Sequence, residues 1–148
     1  MFTIQFSEFI NRPVEDVFAF VSDKENLLQV NSAYLSVKLT SDGPTAVGTT
    51  YLIVEQTPFQ KVEFQYTCTT YEKNKTIAGR RVAVAAPIPV IDEYYQFEPR
   101  DQGTYVTLRE ELSPRGLFRL LQPIIRSMIG KAMREGLAKA KEVLESQA

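Results

Sequence analysis

A chain of 148 residues, 44% hydrophobic and 24% charged, has the composition of an ordinary globular domain, and a formal charge of −1 gives no global field to draw in nucleic acid. It contains no histidine and one cysteine, Cys68, which excludes Ser-His and Cys-His catalysis, a soft-metal site and an internal disulfide, and fits a reducing cytoplasm. No run is apolar enough for a membrane span, the N-terminus lacks the pattern of a signal peptide, and neither a Walker loop nor GxGxxG occurs.

Phe2 to Ile10 alternates Phe2, Ile4 and Phe6 against Thr3, Gln5 and Ser7, the pattern of a strand. In "NRPVEDVFAFVSD" Pro13 suits the first position of a helix, and Glu15 and Asp16 suit its positive end. Val14, Val17, Phe18 and Val21 give that helix one apolar side. Ser22-Asp23 reads as a break and the N-cap of a second short helix, about residues 24–30.

The period then changes to two. Strands are expected at roughly 33–40, 48–56, 59–72, 75–86, 89–99 and 104–112. The turns between them, "SDGP", "TP", "EKNK", "APIP" and "RDQG", are short, so sequence neighbours should pair antiparallel. "APIP" and "SDGPTAVG" are candidate lips of a cavity, the second with Gly43 and Gly48 as hinges.

Ser113-Pro114 caps a long final helix reaching about residue 146. Leu117, Leu121, Ile124, Ile125, Met128 and Ala132 fall on one side of it, and Arg115, Arg119, Arg126, Arg134 and Lys141 roughly opposite. Pro123, inside this pattern, should kink it.

One strand, two short helices, six strands and a long helix make a two-layer α+β domain over residues 1–148, a curled antiparallel sheet of about seven strands around the last helix. "FINRPVEDVFAFVSDKENLLQVNS", "DGPTAVGTTY" and "SPRGLFRLLQPIIRSMIGKAMREGLAKAKEVLES" together resemble the polyketide cyclase/dehydrase-like branch of the START/SRPBCC superfamily. The resemblance implies a helix-grip fold with a cavity for a hydrophobic or amphipathic small molecule such as a lipid, polyketide or quinone. It implies no shared catalytic residue and no cofactor.

Strand phase selects the inward side chains. In "FQKVEFQYTCTTY" Lys61, Glu63, Gln65, Thr67 and Thr69 read as the solvent face, so Val62, Phe64, Tyr66 and Cys68 look inward. "VIDEYYQFEP" points Ile91, Glu93, Tyr95 and Phe97 inward, and the last strand Val106, Leu108, Glu110 and Leu112. The strand at 75–86 is expected to place Ala78, Arg80, Val82 and Val84 inward, with the register Ile77, Arg81, Ala83 nearly as good. Opposed side chains on neighbouring strands lie within about 5 Å. Glu93, Glu110 and Arg80 or Arg81 are therefore expected to share one concavity and to be at least partly buried.

Three readings of these charges stay open: a structural ion network, the polar end of a ligand pocket, and a general acid or base at Glu93 or Glu110 in a cyclase or dehydratase. The expected ligand-contacting set is Phe64, Tyr66, Arg80, Glu93, Tyr95, Phe97, Leu108, Glu110, Leu121, Ile125, Met128 and Ala132. Cys68 reads as an inert buried thiol. The arginines of the last helix read as a solvated face, or as a docking face for an acidic partner or membrane. A protein partner or homodimer remains open. No metal and no nucleic acid are expected.

Overall fold

The structure, a computed structural model, describes residues 1–58 and 60–147. Seven strands form one antiparallel sheet in the order β1-β7-β6-β5-β4-β3-β2. They are β1 Phe2–Ile10, β2 Tyr34–Leu39, β3 Thr50–Gln56, β4 Lys61–Glu72, β5 Thr76–Val82, β6 Val90–Arg100 and β7 Gly103–Ser113. The expected start of the fourth strand at residue 59 lies outside the described residues. Helices α1 (Val14–Ser22) and α2 (Leu27–Val30), with a 3-10 turn at Lys24–Asn26 between them, follow β1. Helix α3 (Gln122–Glu145) ends the fold.

Alternation in the sequence becomes burial in the sheet. Val62, Phe64, Tyr66 and Cys68 of β4 are buried while Lys61, Glu63 and Gln65 are exposed, and β6 buries Ile91, Glu93 and Phe97. Helix α1 buries Val17 and Phe18, and the Phe18 ring meets Phe97 edge-on at 5.1 Å between centroids. Asp23 caps the following turn, its carboxylate accepting from the Glu25 amide at 3.1 Å.

Helix α3 turns Ile125, Met133, Leu137, Ala140 and Leu144 into the core at helical spacing. Three of its basic residues are engaged against β1. Arg126, Arg134 and Lys141 lie over the rings of Phe2, Phe6 and Phe9 at 5.0, 5.6 and 5.9 Å. Arg126 and Lys141 also donate to the carbonyls of Thr3 and Phe9, each at 2.8 Å. Since β1 is an edge of the sheet, this face of α3 covers an edge that would otherwise offer unpaired carbonyls.

Two expectations are corrected. Pro123 does not kink a long helix. Residues Gly116–Leu121 form a separate 3-10 helix, and α3 starts at Gln122 with Pro123 in its first turn. Amides of the first turn have no intrahelical acceptor, so proline costs nothing there, and its fixed φ favours starting a helix. Leu117 and Ile124 consequently leave the apolar face and are exposed.

Strand β5 takes the register with Arg81 inward. Arg81 is paired with Tyr66 of β4 and Ile91 of β6, both inward-facing, so it shares their side of the sheet. Arg80 points outward, where its guanidinium holds Asp92 at 2.7 and 3.1 Å.

Candidate functional site

Between the concave face of the sheet and helix α3 lies a cavity of about 560 Å3, a size that accommodates a ligand of drug-like dimensions. Apolar groups from three sources wall it: Phe64 and Leu108 from the sheet, Ile125, Met128 and Ala132 from α3, and Leu27 from α2. Gly136 lines it too, and a Cβ there would meet nothing within 4 Å. Small residues on one stripe of α3 keep the helix from filling the space. Of the two expected lips, "APIP" contributes Ala86, Pro87 and Ile88 to the lining; residues 41–48 contribute none.

The polar end is built by the pairing of strands. Tyr34 lies opposite Glu55, Glu93 opposite both Gly79 and Glu110, and Arg81 follows two residues after Gly79 on the same face. Tyr34, Glu55, Arg81, Tyr95 and Glu110 line the cavity. Arg81 donates to the Tyr34 hydroxyl at 2.8 Å and to Glu93 Oε2 at 3.0 Å, while its buried Nε has no partner among the described residues.

Behind this layer, Lys24 donates to Glu93 Oε1. Both side chains are almost fully enclosed, at 2% and 1% exposure. The Lys24 ammonium also sits 4.9 Å from the ring centres of Tyr66 and Tyr95. A lysine in the polar run "SDKEN" carries the sequence signature of a solvated turn, and pattern alone does not single it out for that reason. The one available signal was arithmetic: several inward carboxylates with a single inward arginine leave charge to be balanced.

The carboxylates titrate in opposite senses. Burial alone would push Glu93 up, but Lys24 and Arg81 together hold it below the usual range. Burial raises Glu110 to about 7; Arg81 opposes the rise, and Glu93 and Glu55 add to it. Glu55 is also raised by burial, with Arg81 opposing. Two cations thus serve three carboxylates, and Glu110 is partly protonated near neutrality.

Of the expected contact residues, Phe64, Tyr95, Leu108, Glu110, Ile125, Met128 and Ala132 do line the cavity. Five do not. Glu93 lies behind Arg81 and is covered by its ion pairs. Tyr66 is buried over Gly79, where a Cβ would come within 2.2 Å of its ring. Phe97 packs on Phe18, Leu121 packs on the core before α3 begins, and Arg80 is on the far face. Tyr34, Glu55 and Arg81 take their place. Cys68 is buried and its thiol is pushed up by burial, as suits an inert side chain. No cluster of metal-ligating side chains exists among the described residues, and no helix among them is long and apolar enough to cross a membrane.

The family model described as "Polyketide cyclase / dehydrase and lipid transport" matches residues 1–145. The chain belongs to this family. The resemblance read from the α1 and α3 motifs therefore holds over nearly the whole sequence. Solved structures share the helix-grip fold of this polyketide cyclase/dehydrase-family protein at low sequence identity. The aromatase/cyclase Zhui from Streptomyces sp. R1128 superposes with a TM-score of 0.82 at 11% identity, over 97% of this chain and 93% of that one. A START superfamily protein from Mycobacterium smegmatis gives 0.81 at 11%, over 99% of both chains. A protein from Thermus thermophilus gives 0.81 at 16%, also over 99% of both. No curated protein shows significant similarity to the chain.

Proposed function

We propose that this family member binds a small apolar or amphipathic molecule in the cavity between sheet and α3, with one neutral oxygen function, a hydroxyl or carbonyl, against Glu110, Arg81 and Tyr34. The observation that carries this reading is the division of the cavity into apolar walls and one polar end. The two cations of that end already face three carboxylates, so a ligand carboxylate would add negative charge to a cluster that must hold a proton to be neutral. A carbonyl can accept from Arg81 or from protonated Glu110, and a hydroxyl can donate to ionised Glu110.

N-Phenyl-1-naphthylamine, an uncharged apolar fluorophore, should bind with a dissociation constant on the order of micromolar. Ala132→Trp places an indole in the cavity and should abolish that binding while leaving the thermal transition cooperative. Equal binding to this variant would refute the cavity as the site. Mass spectrometry of an organic extract of the purified protein identifies a copurified ligand.

One observation favours a second reading, a cyclase or dehydratase. Glu110 lines open space with a pKa of about 7, where a carboxyl can both give and take a proton. In a dehydration it would protonate the departing hydroxyl, which leaves as water, and recover a proton from the adjacent carbon. Glu110→Gln would then abolish turnover of a β-hydroxyketone while keeping probe binding. Unchanged turnover rules out this role.

A further inference from the structure

The cation-bearing face of α3 is used up against β1, but the segment before it is not. Gly116 takes φ 55°, in the left-handed region, and starts the 3-10 helix Gly116–Leu121. In a 3-10 helix residues three apart lie on one edge. Phe118 and Leu121 form the edge that packs on the core. Leu117 and Leu120 form a second edge, 80% and 78% exposed, and Ile124 in the first turn of α3 is 53% exposed. Arg115 and Arg119 flank them and are exposed. From Pro114 to Ile124 there is no acidic residue, while Arg115 and Arg119 are basic, on a chain whose formal charge is −1.

We propose that residues 115–124 dock on an anionic lipid bilayer. Charge complementarity argues for it: a local excess of cations without a single interspersed carboxylate suits a surface of uniform negative sign. Shape argues for it as well. The apolar side chains project outward instead of lining a groove, so a partner protein would need matching pockets, whereas the interfacial region of a bilayer receives protruding leucines without preformed shape. The position is also apt. The Arg115 amide donates to the Pro87 carbonyl at 2.8 Å, which ties this segment to the loop whose Ala86, Pro87 and Ile88 line the cavity. A bilayer held at residues 115–124 would lie near that rim, and it is where an apolar ligand would reside.

Cosedimentation with sucrose-loaded vesicles tests the proposal without needing fluorescence, as the chain has no tryptophan. Phosphatidylcholine vesicles containing about one-third phosphatidylglycerol should carry the protein down, and pure phosphatidylcholine should carry down far less. Arg115→Gln with Arg119→Gln should weaken association with the anionic vesicles by roughly 30-fold at low salt. Leu117→Ser with Leu120→Ser should weaken it at least about tenfold on the same vesicles. Both variants should bind N-phenyl-1-naphthylamine as the parent does, so loss of docking and loss of the cavity are separate results. Absence of vesicle binding by the parent, or equal binding by the variants, overturns the proposal. So does a dimer in sedimentation equilibrium that Leu117→Ser with Leu120→Ser dissociates, which would assign the patch to a second copy of the chain.

Discussion

Glu93 and Glu110 face each other across the β6–β7 pair, and their carboxyl groups are driven in opposite directions. Contact decides the difference. Glu93 holds Lys24 through one oxygen and Arg81 through the other, whereas Glu110 has neither an ion pair nor a hydrogen bond to its carboxylate among the described residues. Glu93 is therefore the structural acid of the cluster and Glu110 the adjustable one.

The first prediction follows from that contrast. Glu110 is raised from 4.5 to about 7, so the native state binds more protons there than the unfolded chain between those values. Stability attributable to this group therefore falls as pH rises from about 4.5 through 7, by on the order of 3 kcal/mol in total, and stays low above that. Glu93, lowered, acts oppositely and loses stability as pH falls below its unfolded value. Arg81, Lys24, Glu55, Tyr34 and Tyr95 are the other ionisable groups of the cluster, of which only Glu55, also raised, should add to the same fall. Urea denaturation from pH 5 to 8.5 should show falling stability in the parent and a flatter profile in Glu110→Gln. Identical slopes would contradict the assignment.

Lys24→Met leaves Glu93 with one cation in a buried site, and breaking such a pair costs about 3–5 kcal/mol. Adding Glu93→Gln removes the uncompensated charge and should recover part of the loss. A double-mutant cycle by urea denaturation measures the coupling, and additive losses would show that the pair is not the source of the effect.

Gly79→Ala should destabilise by about 1–3 kcal/mol, since the new methyl would lie 2.2 Å from carbons of the Tyr66 ring. With Tyr66→Ala already in place, the same change should cost far less. The two folding free energies, compared by thermal or chemical denaturation, decide it.

Gly136→Ala should do the reverse. A Cβ at this position meets nothing within 4 Å and the residue is inside α3, so alanine should stabilise by about 0.5–1 kcal/mol through helix propensity and reduced unfolded-state entropy. The methyl enters the cavity, so calorimetry on the variant should pair a higher Tm with equal or weaker fluorophore binding. A lowered Tm would mean that the space is needed for packing.

Much of this was determined locally and could be read in one dimension. Strict alternation in β4 and β6 gave the inward faces that bury Phe64, Tyr66, Glu93 and Phe97, because a strand with one buried face has only two phases and the polar residues reject one of them. Of the apolar stripe read from helical period, Ile125, Met128 and Ala132 meet the cavity, whereas Leu117 and Ile124 are exposed. Tertiary structure decided what local pattern leaves degenerate. The run "TIAGRRV" offers an arginine to either face, and only pairing with Tyr66 and Ile91 turned Arg81 inward and Arg80 out. Lys24 is polar in every local sense; it is buried because a long, flexible side chain can reach a carboxylate 69 residues away, one oxygen of which Arg81 leaves without a cation. Arg126 and Lys141 read as a solvated face until β1 became a sheet edge with carbonyls to satisfy. Charges are placed by partners distant in sequence, and that is why the core and the inward carboxylates were legible while the choice of Arg81 and the burial of Lys24 were not.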